Sequence, residues 1–117
     1  MKTYFAVLFV AVGLLFVALA LPLIRRRVKP NRLYGLRVPA TFADEQVWYD
    51  ANASTGRDLV KLGTIQMGVA LLGLLAPLTD ITYVLMNAAV VFTGALAMAA
   101  VGWRRANHLL SIRRNVS

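Results

Sequence analysis

Three long apolar runs divide the chain, and one polar stretch separates the first from the second. Tyr4 to Ile24 is 21 residues without a charge. At about 1.5 Å per residue, a helix of that length crosses a hydrocarbon core of about 30 Å. Leu59 to Leu78 reads as a second span. Lys61 lies close enough to its end to snorkel to the surface, and Gly63, Gly68 and Gly73 thin it so that neighbours can approach. Pro77-Leu78-Thr79-Asp80 is a tight connection that permits only an antiparallel neighbour. The third span is Tyr83 to Trp103, aromatic at both ends and rich in Ala and Gly between. Arg104, Arg105, Arg113 and Arg114 follow in a tail that predicts an interfacial helix. The pattern therefore predicts an all-α integral membrane protein, a single domain over 1–117. Its transmembrane helices fall near 4–24, 59–78 and 83–103, with a tail at 104–117.

The polar stretch between the first two spans, 25–58, changes sign along its length. Arg25 to Arg37 carries six cations and no acid; Val38 to Asp58 carries Asp44, Glu45, Asp50 and Asp58 against Arg57 alone. Pro30-Asn31 favours a turn, and Gly35 beside Tyr34 can supply a positive φ. Pro39 biases Val38 to extended backbone. Thr41 followed by Asp44 resembles a capping box, which starts a short helix there. On that helix Trp48, Asn52 and Gly56 are four apart and share a face, and Trp48 and Tyr49 suit the headgroup level.

Composition reinforces this picture. Apolar residues make up 59% of the 117, more than a soluble domain of this size can bury. The net charge of +8 raises the possibility of nucleic acid. The cations, however, cluster at the ends of the apolar runs, as retention at an anionic inner leaflet requires, so no direct nucleic-acid contact is expected. Twelve of the thirteen cations lie in the central segment with Lys61 or in the tail, leaving only Lys2 on the far side. Three spans with both basic segments cytoplasmic put the N-terminus outside. A cleaved leader, with Lys2 ahead of the apolar run and Ala18-Leu19-Ala20 as its cleavage site, is the rival for the first span. Arg25-Arg26-Arg27 directly afterwards opposes it.

Catalytic chemistry finds little to work with. There is no cysteine, and His108 is the only histidine, set in a basic tail; a metal site needs several converging ligands. Asp44 and Glu45 are adjacent and point apart on a helix, so they form no acid–base pair. Ser54 and Thr55 have no nearby base, and no glycine-rich phosphate loop exists. No enzyme activity, cofactor or metal is expected. Gln66, Asn87 and Thr93 within the spans read as hydrogen-bonding glue between helices rather than the lining of a substrate path. Two readings of the polar stretch stand level. In one, its cations bind anionic headgroups, Arg37 pairs with Asp44 or Glu45, and Trp48 anchors the short helix. In the other, Asn31, Tyr34, Arg37, Trp48 and Asn52 form a docking surface, whose Tyr, Trp and Arg content suits a binding hot spot.

The run Pro30-Asn31-Arg32-Leu33-Tyr34-Gly35-Leu36-Arg37-Val38-Pro39, followed by Thr41, Asp44-Glu45-Gln46-Val47-Trp48-Tyr49, Ala51-Asn52 and Gly56-Arg57-Asp58-Leu59, resembles the SdpI-like family of bacterial membrane proteins. The family signature is approximately PxNxxYGxRTPxTLSxxxVWxxxNxxxGR. Val38 stands where the family often has Thr, Ala40 where an aromatic or basic residue is common, and Ala53 where a basic residue is frequent. The resemblance is to the signature module alone, the short form. It implies a multi-pass protein of the bacterial plasma membrane, acting in immunity to a secreted peptide toxin and in holding a cytoplasmic repressor at the membrane. The positions it marks for binding a ligand or partner are Asn31, Tyr34, Gly35, Arg37, Pro39, Thr41, Trp48, Asn52, Gly56 and Arg57. The other function open to the chain is a small oligomeric transporter or channel, or a scaffold subunit of a membrane complex. Gly63, Gly68, Gly94 and Gly102 would support a homo-oligomer.

Overall fold

The computed structural model describes residues 2–116. Four helices account for most of them: α1 Lys2–Ile24, α2 Pro39–Ala43, α3 Glu45–Leu72 and α4 Asp80–Val116. Helix α3 is central. Helix α1 packs along one side of it and α4 along another, while α1 and α4 touch only slightly. Glycines set these distances. A Cβ on Gly63 of α3 would lie 2.6 Å from the Gly13 carbonyl of α1, and one on Gly56 would lie 3.0 Å from the Ala20 carbonyl. On α4, Gly94 gives room to Leu62, and Gly102 to Leu36 and Thr55. Gly68, which was expected to serve the same purpose, faces open space.

Two helices, α1 and α4, are long and apolar enough to cross a membrane. Helix α3 is not one of them, and its helical end falls short of the expected 59–78 run. The helix stops at Leu72, with Gly73 as its C-cap, and 73–79 form the turn. Its apolar half therefore has about 21 Å of helical rise at 1.5 Å per residue. The expected start at Thr41 is corrected. Thr41 belongs to the separate single turn α2, and Asp44 caps α3, accepting from the Gln46 and Val47 amides at 2.8 and 3.2 Å. Between these points α3 runs unbroken from the polar segment into the apolar one. It is one continuous helix where a short helix and a separate span were expected. The same holds for the tail. At 1.5 Å per residue, α4 is about 55 Å long, close to the 58 Å long axis of the molecule. The tail thus continues the helix axis and does not turn aside as a separate interfacial helix.

The molecule accordingly has an apolar body and a charged end. At the charged end Val38, Ala40, Val47, Ala51 and Ala106 form a small core, with Leu36, Leu109 and Leu110 packed on it. At the opposite end Lys2 donates to the Ala76 carbonyl at 3.3 Å. Within the body Gln66 donates to Asn87 at 2.8 Å, the interhelical bond expected of these amides; Thr93 is exposed and takes no part.

A folded loop and its cationic rim at the charged end

Helix α1 ends in a reversal. Arg26 adopts φ 58°, the left-handed conformation. Its amide donates to the Leu23 carbonyl at 3.2 Å, and the Arg27 amide to that of Pro22 at 3.0 Å. These are the paired bonds of a Schellman motif. The chain is thereby turned back toward the helix it has just left. Asn31 shapes the next turn: its Oδ1 accepts from the Leu33 and Tyr34 amides at 2.8 and 2.7 Å, and its Nδ2 donates to the Lys29 carbonyl at 2.8 Å. The Tyr34 hydroxyl then donates to the carbonyl of Leu19, well inside α1. Burial pushes the Tyr34 phenol above its ordinary pKa.

The loop is next fastened to α3. Gly35 takes φ +103°, so close to α3 that a Cβ would lie 2.7 Å from Asn52 Oδ1. Asn52 Oδ1 accepts from the Leu36 amide at 2.5 Å, and Trp48 donates its indole N–H to the Val28 carbonyl at 2.8 Å. Pro39 leaves Val38 extended at φ −122°, ψ 163°. The Thr41 hydroxyl takes the Val38 amide at 3.1 Å and donates to the carbonyls of Leu36 and Val38. Trp48, Asn52 and Thr41 are at most 2% exposed, and Gly56 is buried against α1. These signature residues face inward and build the loop. Arg37, Pro39 and Arg57 are exposed, while Asn31, Tyr34 and Gly35 are half-buried. Only part of the predicted set thus lies on a surface.

Ion pairs brace the assembly, among them Arg26 with Asp50, Arg105 with Asp58 at 3.1 Å, and Arg113 with Asp44 at 3.2 Å. The expected pairing of Arg37 with Asp44 or Glu45 is therefore corrected. Asp44 is taken by the tail, and Arg37 donates instead to the carbonyl of Arg32. Arg32, Arg37 and Phe42 line an open depression of about 580 Å³. Phe42 is half-exposed and leans on the Trp48 ring at 5.5 Å, and Leu33 nearby in the loop is 91% exposed. Sequence reasoning assigned no role at this site to Val28, Leu36 or Phe42, and placed Arg113 only in an interfacial tail. Leu36 lay in plain sight within the signature run, and Phe42 directly follows its Thr41. Nothing local marked Arg113, whose partner is 69 residues away.

The match to known proteins agrees with this geometry. Residues 27–104 match the SdpI/YfhL protein family, from the Schellman turn to the end of the apolar body. The chain belongs to that family. No curated protein and no solved structure matches it. For this SdpI/YfhL family member, the two long apolar helices are those of a membrane protein. The family match takes in all of the loop from Arg27 onward, α2, α3 and most of α4, so it covers both the buried residues that fold the loop and the cations left on its rim.

Proposed function

We propose that this chain is a non-enzymatic immunity or signalling protein of the bacterial plasma membrane, of the SdpI type. It crosses the bilayer three times, with α1, with α3 completed by the apolar turn 73–79, and with α4. Its N-terminus is outside and its charged end is in the cytoplasm. That end gives resistance to a peptide toxin, docks a cytoplasmic regulator, or does both. The supporting observation is the division of labour within the signature. Trp48, Asn52 and Thr41 are spent on holding one loop conformation, and what that loop presents is a cationic rim with Arg37 and Pro39 exposed. A binding surface needs such a pre-organised support.

The decisive experiment challenges a deletion strain with peptide toxins from related bacteria, with and without the gene restored. Loss of protection on deletion and its return on complementation are the expected results. Unchanged sensitivity across the panel would count against immunity. Orientation is tested separately, since the chain has no cysteine of its own. Gln46→Cys should be shielded from an impermeant thiol reagent in intact cells, and Thr79→Cys should label.

A further inference from the structure

The loop sits deeper than a hydrophilic connection ordinarily does. Tyr34 is tied to the Leu19 carbonyl, six residues before Arg25, the cation that ends the apolar run, or about 9 Å down α1 at 1.5 Å per residue. Gly56 packs at the level of Ala20 to Ile24, and Leu36 against Gly102. The apolar-to-charged boundaries of α1 and α4, at Ile24–Arg25 and Trp103–Arg104, therefore coincide with the loop. In the membrane placement proposed above, this level is where an exposed Leu33 would reach acyl chains and the cations beside it phosphates.

The charge pattern at the same place is one-sided. Asp44, Asp50 and Asp58 are taken by Arg113, Arg26 and Arg105 respectively, which leaves exposed Glu45 as the acid of this segment without an ion pair among the described residues. Among the described residues no acid pairs with Arg32 or Arg37. Arg37 is steadied by its bond to the Arg32 carbonyl, which leaves the rest of its guanidinium fork free to bind an anion from two nitrogens. The rim thus has two arginines, one of them pre-set, and an aromatic ring, around a depression of about 580 Å³.

We propose that the depression between Arg32, Arg37 and Phe42 binds the phosphate of one anionic phospholipid, with Leu33 seated among its acyl chains. The site rests on the membrane placement proposed above and is independent of toxin resistance. Depth and the exposed leucine favour a lipid over a free soluble phosphate, for which Leu33 would have no use.

The test titrates the full chain in mild detergent with phosphatidylglycerol, phosphatidylcholine or soluble glycerol 3-phosphate, and counts retained lipids by native mass spectrometry. One phosphatidylglycerol per chain should be retained, with phosphatidylcholine lost. Arg32→Gln should weaken retention about fivefold, the effect of one interfacial cation. Arg37→Lys, which keeps the charge and loses the fork, should also weaken it. Arg104→Gln, an exposed cation outside the depression, should not. Arg32→Gln leaves the backbone carbonyl that holds Arg37 in place, and thermal unfolding checks that each variant is folded. Equal loss in all three variants, retention of phosphatidylcholine, or displacement by glycerol 3-phosphate would each overturn the proposal. Binding in detergent does not depend on the direction of insertion, so its failure leaves the immunity and topology experiments untouched, and theirs leaves it untouched.

Discussion

Asn52 treats Leu36 as one strand treats its neighbour. Its Oδ1 accepts the Leu36 amide at 2.5 Å, while its Nδ2 lies 3.4 Å from the Leu36 carbonyl and 2.9 Å from that of Trp48. At 2% exposure, water cannot take over these bonds. Asn52→Ala leaves the Leu36 amide stranded, a cost of about 1–3 kcal/mol. The expected result is a lower unfolding midpoint in detergent, with hydrogen exchange accelerated first at Leu36. Unchanged exchange at that amide would mean the loop is held by other means.

Two glycines should respond to alanine in opposite directions. Gly35 combines φ +103° with a Cβ position 2.7 Å from Asn52 Oδ1. Gly35→Ala therefore strains the backbone by about 1–2 kcal/mol and also displaces Asn52. Gly68 is helical and meets nothing within 4 Å, so Gly68→Ala should gain up to about 1 kcal/mol of helix propensity. Unfolding midpoints of the two variants, measured side by side, should fall on either side of the parent protein.

The contrast shows what can be read from a linear chain. Gly35, Pro39 and Val38 act through their own φ and ψ, and the turn chemistry predicted each of them. The shared face of Trp48, Asn52 and Gly56 follows from helical period and was legible in the same way. What that face meets was not legible, because the Val28 carbonyl and the Leu36 amide are backbone groups that any residue carries. Helix ends proved harder still. The apolar run to Leu78 gave no sign that α3 would stop at Leu72, since Gly73 is as compatible with a membrane helix as with a cap. The charged partners of Asp44 and Asp58 come from the far end of the chain, and composition alone could not choose among twelve cations.

Acid should loosen the junction between α3 and the tail. Desolvation pushes the Asp44 carboxyl upward. It is outweighed by the Val47 amide, the Arg113 guanidinium and the Gln46 amide, so the folded pKa lies below the ordinary value. A depressed carboxyl contributes stability that is fully present above its unfolded pKa of about 3.9 and is lost as pH falls through the folded value. The end of α4 near Arg113 should therefore show a lower protection factor, its exchange corrected for the intrinsic rate at each pH, below about pH 4 than at neutral pH. Asp44→Asn, which keeps a capping oxygen and removes the charge, should flatten that dependence. A tail equally protected in the parent protein at both pH values would show that the Arg113 pair contributes nothing.

The most informative test of the apolar body is a pair of amides. Gln66 Nε2 donates to Asn87 Oδ1 at 2.8 Å, Asn87 Nδ2 donates to the Tyr83 carbonyl at 2.9 Å, and both residues are fully buried. Gln66 Oε1 has no partner. This asymmetry ranks the single variants. Gln66→Leu removes an orphaned acceptor together with the bonded donor, so part of its cost is returned. Asn87→Leu returns nothing and strands the whole Gln66 amide away from water, where an unmade bond is most costly. Asn87→Leu should therefore be the more destabilising, and the double variant should be milder than the sum of the two. A coupling of about 0.6 kcal/mol, and at most about 1.7, is expected for such a bond in a membrane helix pair. Denaturation in mixed micelles gives all four stabilities. A reversed order, with Gln66→Leu the worse of the two, would require a partner for Gln66 Oε1 and hence a different packing of α3 on α4.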